Sequence, residues 1–149
     1  MNGSGGGLIS STSDQATRAT WGCYGTTIVG ADGEAIGTGI QNTIDIETDC
    51  TSSGTAADIC ANLTIDGYSD WFLPSKSELN LMYENIGNGN ALGLGNVGNF
   101  TSNWYWSSTE EDSNSAWYQS FSNNFLQYFI NKNNTYGDVR AIRAFGNWF

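Results

Sequence analysis

Four short strand-like runs lie near the end of the chain, at residues 104–108, 115–122, 125–131 and 137–145, separated by clusters of Asn, Ser, Asp, Glu and Gly. Alternation with period two, bounded by turn-forming residues, marks strands, so the pattern predicts a meander of antiparallel strands. In 115–122 it places Trp117, Gln119 and Phe121 on one face, the expected core face, and Tyr118, Ser120 and Ser122 on the other. The next run breaks the rule. Phe125, Gln127 and Phe129 face one way and Leu126, Tyr128 and Ile130 the other, so neither side is polar. Such a strand is either buried on both faces or exposed for a binding role.

Upstream, Leu8 and Ile9 suggest a first edge strand, and the Ala-Asp-Gly at 31–33 suggests a hairpin turn between 26–29 and 34–36. Residues 41–49 alternate like a strand through Ile44, Ile46 and Thr48, or start at a capping Asn42 as a short helix; the helix is the reading adopted. Helical spacing is clearer in 55–63, where Ala56, Ile59, Cys60 and Leu63 share a stripe and Thr55 with Asp58 makes a capping pair. Ser75-Lys76-Ser77-Glu78 after Pro74 reads as a capping box opening another helix, with Leu79, Met82, Tyr83 and Ile86 as its buried stripe. A Gly- and Asn-rich loop over 85–99 ends it.

The pattern fits one α+β domain over 8–149, with MNGSGGG at 1–7 read as a tag or linker remnant. A chain of 149 residues buries roughly 70% of its unfolded surface. Fifteen acids against five basic residues, a formal charge of -10, argue against nucleic acid and anionic membranes as partners. No apolar run is long enough to span a bilayer. Cys50 and Cys60 bracket a short loop and suit a local disulfide worth roughly 2 to 3 kcal/mol in an oxidising compartment, leaving Cys23 alone. With no His and no Cys-x-x-Cys there is no zinc motif, and nucleophiles that need a His partner are excluded. Arg140 and Arg143 lie in an apolar run and call for carboxylates, with Asp70, Glu78 and Glu110 as candidates; structural pairing is favoured over an anionic ligand.

GYSDWFLPSKSELNLMY at 67–83, YWSSTE at 105–110, AWYQSF at 116–121 and VRAIRAF at 139–145 resemble, in order and spacing, the Lcl C-terminal-type domain. That family occurs on bacterial collagen-like surface adhesins and on secreted or phage-borne proteins. The resemblance implies a C-type-lectin-like fold, with two helices on a small twisted antiparallel sheet and the terminal strands brought together. It places the protein outside the cell, on a bacterial surface or a phage virion. The end of the chain, with NKNNT at 131–135, is similar to the variable proteins of diversity-generating retroelements, in which template adenines are randomised. Tyr118, Ser120, Phe125, Leu126, Tyr128, Phe129, Ile130, Tyr136, Gly137 and Asp138 are reachable from an Asn codon altered at its first two positions; Trp117 and Lys132 are not.

These readings make the chain a non-enzymatic display scaffold, with Glu111, Asp112, Asn114, Tyr118, Ser120, Phe125, Tyr128, Phe129, Tyr136 and Asp138 as the patch that binds a protein or glycan receptor. No cofactor is expected. Glu110, Glu111 and Asp112 offer oxygen ligands for calcium, but the only proline is Pro74, so the proline-containing calcium loops of lectins are missing. Two alternatives remain: a cap that trimerises a fibre through 125–131, as against a monomer, and an oxidoreductase of the formylglycine-generating type, which needs reactive cysteines.

Overall fold

The computed structural model describes residues 5–122, 124 and 126–146. Ten elements follow in order: β1 Gly7–Ser10, β2 Ala16–Ala19, α1 Gly39–Asp49, α2 Ala56–Ala61, α3 Lys76–Ile86, β3 Trp104–Glu110, β4 Ser115–Ser120, β5 Gln127–Asn131, β6 Gly137–Val139 and β7 Ile142–Phe145. The fold is α+β. A five-stranded sheet runs in the order β2-β6-β3-β4-β5, antiparallel except between β3 and β6. A two-stranded antiparallel sheet pairs β1 with β7, so the terminal strands meet, compatible with the lectin-type arrangement that the resemblance implied.

Alternating side chains carry two cores away from the main sheet. Trp106, Ala116 and Val139 pack with Trp21, Ile28, Ile46, Cys60 and Leu73, under α1 and α2. Tyr105 and Phe121 pack with Leu79, Met82 and Tyr83 of α3, and with Phe72, Phe100 and Ile142. Tyr83 and Phe121 meet edge to face at 5.5 Å. The central strands are therefore covered on both sides, and Trp106 is fully buried with its Nε1 donating to the Ala19 carbonyl at 2.8 Å. Gly137 makes room for it, since a Cβ there would overlap the Trp106 and Trp104 rings.

Helix α3 starts as its sequence predicts. Ser75 Oγ accepts from the Glu78 N–H, and Glu78 Oε1 accepts from the Ser75 N–H at 2.8 Å, a complete capping box. Helix α1 bears out the helical reading of 41–49 but not its cap: the helix starts at Gly39 after Thr38, and Asn42 lies within it with its side chain bonded to Gly33.

Four expectations are corrected. The last run is not one strand: β6 belongs to the main sheet and β7 to the small one, and the chain changes sheets at Arg140 and Ala141. There Arg140 donates to Asp14 and to the carbonyls of Ser11, Gly98 and Asn99, and the Ala141 N–H donates to Gln15 Oε1. The stretch expected to form a hairpin around 31–33 contains no strand; its turns are held instead by other parts of the fold, with the Ile28 N–H on Glu110 and the Gly33 N–H on Asn42. Thr55 stands at the N-cap of α2 without a side-chain bond, its buried Oγ1 unpartnered, while Asp58 accepts from the Gly54 N–H.

The disulfide joins Cys23 to Cys50, not Cys50 to Cys60. Cys60 lies on the buried stripe of α2 and is fully enclosed, whereas Cys50 ends α1 with its Cα 5.8 Å from that of Cys23. Proximity in sequence misled because the helical stripe turns Cys60 inward. The observed bridge closes a span of 27 residues, worth about 3.5 kcal/mol in the chain-entropy account.

Candidate ligand-binding surface

Strand β5 is the outer strand of the main sheet and is not buried on both faces: Leu126 and Tyr128 are about half exposed, while Ile130 packs on the core. Tyr118 on β4 lies directly opposite Tyr128, and Gln119 opposite Gln127. From this pair an aromatic band extends both ways. Inward, Tyr118 lies 4.6 Å from Trp104, which meets Trp106 edge to face at 5.0 Å. Outward, the rings of Tyr128 and Phe129 stack at 4.7 Å, and Phe129 meets Trp117 at 5.2 Å. Lys76 caps the band, its Nζ 3.5 Å above the Trp117 ring, and Glu111 Oε2 accepts from Trp117 Nε1 at 2.8 Å.

The band rests on rigid supports. Gln119, fully buried, takes part in a bridge from β4 to β5 and α3: Gln127 Nε2 donates to Gln119 Oε1 and to the Lys76 carbonyl, and Gln119 Nε2 donates to Asn80. Ser120 and Ser122 share a hydroxyl–hydroxyl bond of 2.7 Å. Trp117 was expected in the core, but it is only half-buried; Gln119 and Phe121 of the same face are enclosed.

On the far side of Trp104 a polar cleft of about 330 Å3 is lined by Thr17, Arg18, Asn103, Trp104, Tyr136 and Asp138. Tyr136 is 60% exposed, with the Arg18 guanidinium 5.5 Å above its ring. Arg18 adopts φ 62°, a left-handed conformation uncommon for a side chain of this kind. Asp138, expected on an exposed patch, is 1% exposed at the cleft floor, where it accepts from Thr101 Oγ1 at 2.7 Å; burial pushes its carboxyl above the ordinary value.

The ten residues expected to form one patch therefore separate. Tyr118, Ser120, Tyr128 and Phe129 come together on β4 and β5, and Tyr136 stands beyond Trp104. Glu111 joins the band through Trp117. Asp112 and Asn114 belong to the β3–β4 turn: Asp112 Oδ1 accepts from the Asn114 and Ser115 N–H groups, and the Asn114 carbonyl accepts from the Lys132 N–H. Phe125 lies outside the described residues. Sequence reasoning left out Trp104, Lys76 and Arg18, and only Trp104 carried a signal, as the aromatic opening a strand.

The basic residues in apolar surroundings are structural. Glu110 is not free for a cation: its Oε2 takes the Lys132 ammonium at 2.7 Å and the Ile28 N–H at 2.8 Å. Arg140 pairs with Asp14 at 2.8 Å, a partner the sequence did not suggest, and Arg143 with Asp70 at 2.7 Å, one that it did. Glu78 is taken up by its capping box and by the Gly37 N–H. Among the described residues no group of three or more His, Cys, Asp or Glu side chains is placed to hold a metal ion. A larger concavity of about 590 Å3, lined by Ile40, Ile44, Glu47, Trp71, Phe72 and Ala144, contains none of the expected site residues.

A sheet covered on both sides, with aromatic side chains at its outer strand, defines an α+β domain. The family model of the Lcl C-terminal domain matches residues 10–143, and the chain belongs to that family. No match was found among curated proteins. No helix among the described residues is long and apolar enough to cross a membrane, and the Cys23–Cys50 bridge fits an oxidising compartment.

Proposed function

We propose that this chain is a ligand-binding display scaffold of the kind encoded beside diversity-generating retroelements, whose β4–β5 hairpin binds a protein or glycan receptor at a bacterial surface or on a phage virion. One observation carries the reading: Tyr118 lies opposite Tyr128 and the Tyr128 ring stacks on Phe129 at a sheet edge, with Tyr128 53% exposed, while the strands beneath are fixed by two cores. Rigid aromatics offer large contact area at low entropic cost. Positions reachable from an altered Asn codon divide in the same way. Phe125 lies outside the described residues; of the other nine, Tyr118, Ser120, Leu126, Tyr128, Phe129, Ile130 and Tyr136 are at least partly open, and Gly137 and Asp138 are enclosed.

A non-enzymatic role is supported by the cysteines, since Cys60 is the one unbonded thiol and burial pushes it upward, away from a reactive thiolate. The test is the triple variant Tyr118→Ala, Tyr128→Ala, Phe129→Ala. It is expected to lose receptor binding while its melting temperature stays within a few degrees of wild type; retained binding, or collapse of the fold, contradicts the proposal.

A further inference from the structure

We propose that the free edge of β5 is a strand-addition site, at which an extended segment of a protein partner joins the main sheet as a sixth strand. This rests on the binding role above and gives its partner a chemical class. The ladder determines which groups are available. The Ser120 N–H donates to the Leu126 carbonyl and the Lys132 N–H to the Asn114 carbonyl, both at 2.8 Å, with Tyr118 opposite Tyr128 and Ala116 opposite Ile130. Successive residues of an antiparallel strand turn their main-chain groups to opposite sides. Residues 126, 128, 130 and 132 therefore address β4, and Gln127, Phe129 and Asn131 point outward. The Asn131 carbonyl is taken by the Asn134 N–H at 2.9 Å; the N–H and carbonyl of Gln127 and Phe129 have no partner among the described residues.

Sheet edges are normally protected by Lys, Pro, bulges or a covering element. Strand β5 reads QYFIN and has no Lys, Pro or bulge, its register with β4 being regular over all five residues, and no strand among the described residues pairs with its outer side. Between Asp112 and Asp138 the only charged residue is Lys132, which is buried, so the strand itself brings no exposed charge to its outer edge; the nearby charges are Lys76 and Glu111, both at Trp117. The outward donor–acceptor pairs recur about every 6.8 Å, twice the rise of a strand. That repeat matches an extended polypeptide and not a saccharide. A second copy of the chain is disfavoured because it brings another -10 charge to the contact. The stacked Tyr128 and Phe129 rings give the added strand's side chains an apolar hold.

The probe is a library of random linear peptides panned against the immobilised full chain. Gln127→Ala and Gln127→Pro both remove the side-chain bonds to Lys76 and Gln119, but only proline also removes the outward N–H, at the first residue of an edge strand where proline is tolerated. Selected peptides are expected to bind Gln127→Pro about tenfold or more weakly than Gln127→Ala, and to slow hydrogen exchange of the Gln127 and Phe129 amides in the wild-type chain. If the proline variant does not fold, amide exchange alone decides. Equal affinities for the two variants, unchanged exchange, or no selected peptide overturns the proposal. Peptides lost from Tyr118→Ala/Tyr128→Ala but not from Gln127→Pro overturn the edge site and leave the binding role standing; insensitivity to both sets overturns both. Protection of the same amides in concentrated chain without peptide would assign the edge to a second copy, against the proposal.

Discussion

Buried charges tie distant parts of this chain together. Lys132 is enclosed between Glu110, the Thr26 carbonyl and the Trp21 ring, tying the end of β5 to the irregular segment before α1. Removing one partner of such a pair strands the other, so Lys132→Met is expected to cost about 3 to 5 kcal/mol in urea unfolding. Glu47 behaves differently. Burial, together with a hydrogen bond and repulsion from Asp58, raises its carboxyl from 4.5 to about 7. Between those values the folded chain holds a proton that the unfolded chain has released, so this group's contribution to stability declines as pH rises from 4.5 to 7. Glu47→Gln should flatten that decline in thermal melts across the window, and an unchanged slope would show that another group causes it. The Lys132 pair was invisible in the sequence because nothing local connects positions 110 and 132; the Arg143–Asp70 pair was legible because both residues belong to runs whose apolar neighbours demanded a counter-charge.

Among the elements, those set by local chemistry were readable and those set by distant partners were not. The capping box of α3 is written in four consecutive residues, and Ser75→Ala is expected to cost about 1 kcal/mol in thermal or urea unfolding, since it removes the acceptor for the Glu78 N–H. The Ala-Asp-Gly turn failed as a hairpin predictor because the flanking N–H groups find Glu110 and Asn42, far away in sequence, in place of each other. The run 139–145 looked continuous because its apolar residues are continuous; only the carbonyls of Ser11, Gly98 and Asn99 gathered around Arg140 show why the chain leaves one sheet for another. Strand β5 was flagged correctly as anomalous. Its position at the sheet edge, which gives the anomaly its meaning, depends on strand order, and strand order is a property of the whole fold.

At the scale of the molecule, two cores hold a sheet whose last strand carries aromatic side chains toward solvent. The sequence supplied the identities of Tyr118, Ser120, Tyr128 and Phe129, and the fold supplied their adjacency to Trp104 and Trp117. It also removed Asp138 and the turn residues Asp112 and Asn114 from the same surface. On the proposed reading, a body that tolerates little change supports a band that tolerates much. The most direct measurement randomises residues 118, 120, 128, 129 and 136 in one library and residues 105, 106, 121, 139 and 141 in another, and scores protease resistance of each member. The account predicts that most members of the first library stay resistant and most of the second do not; equal losses in the two would contradict it.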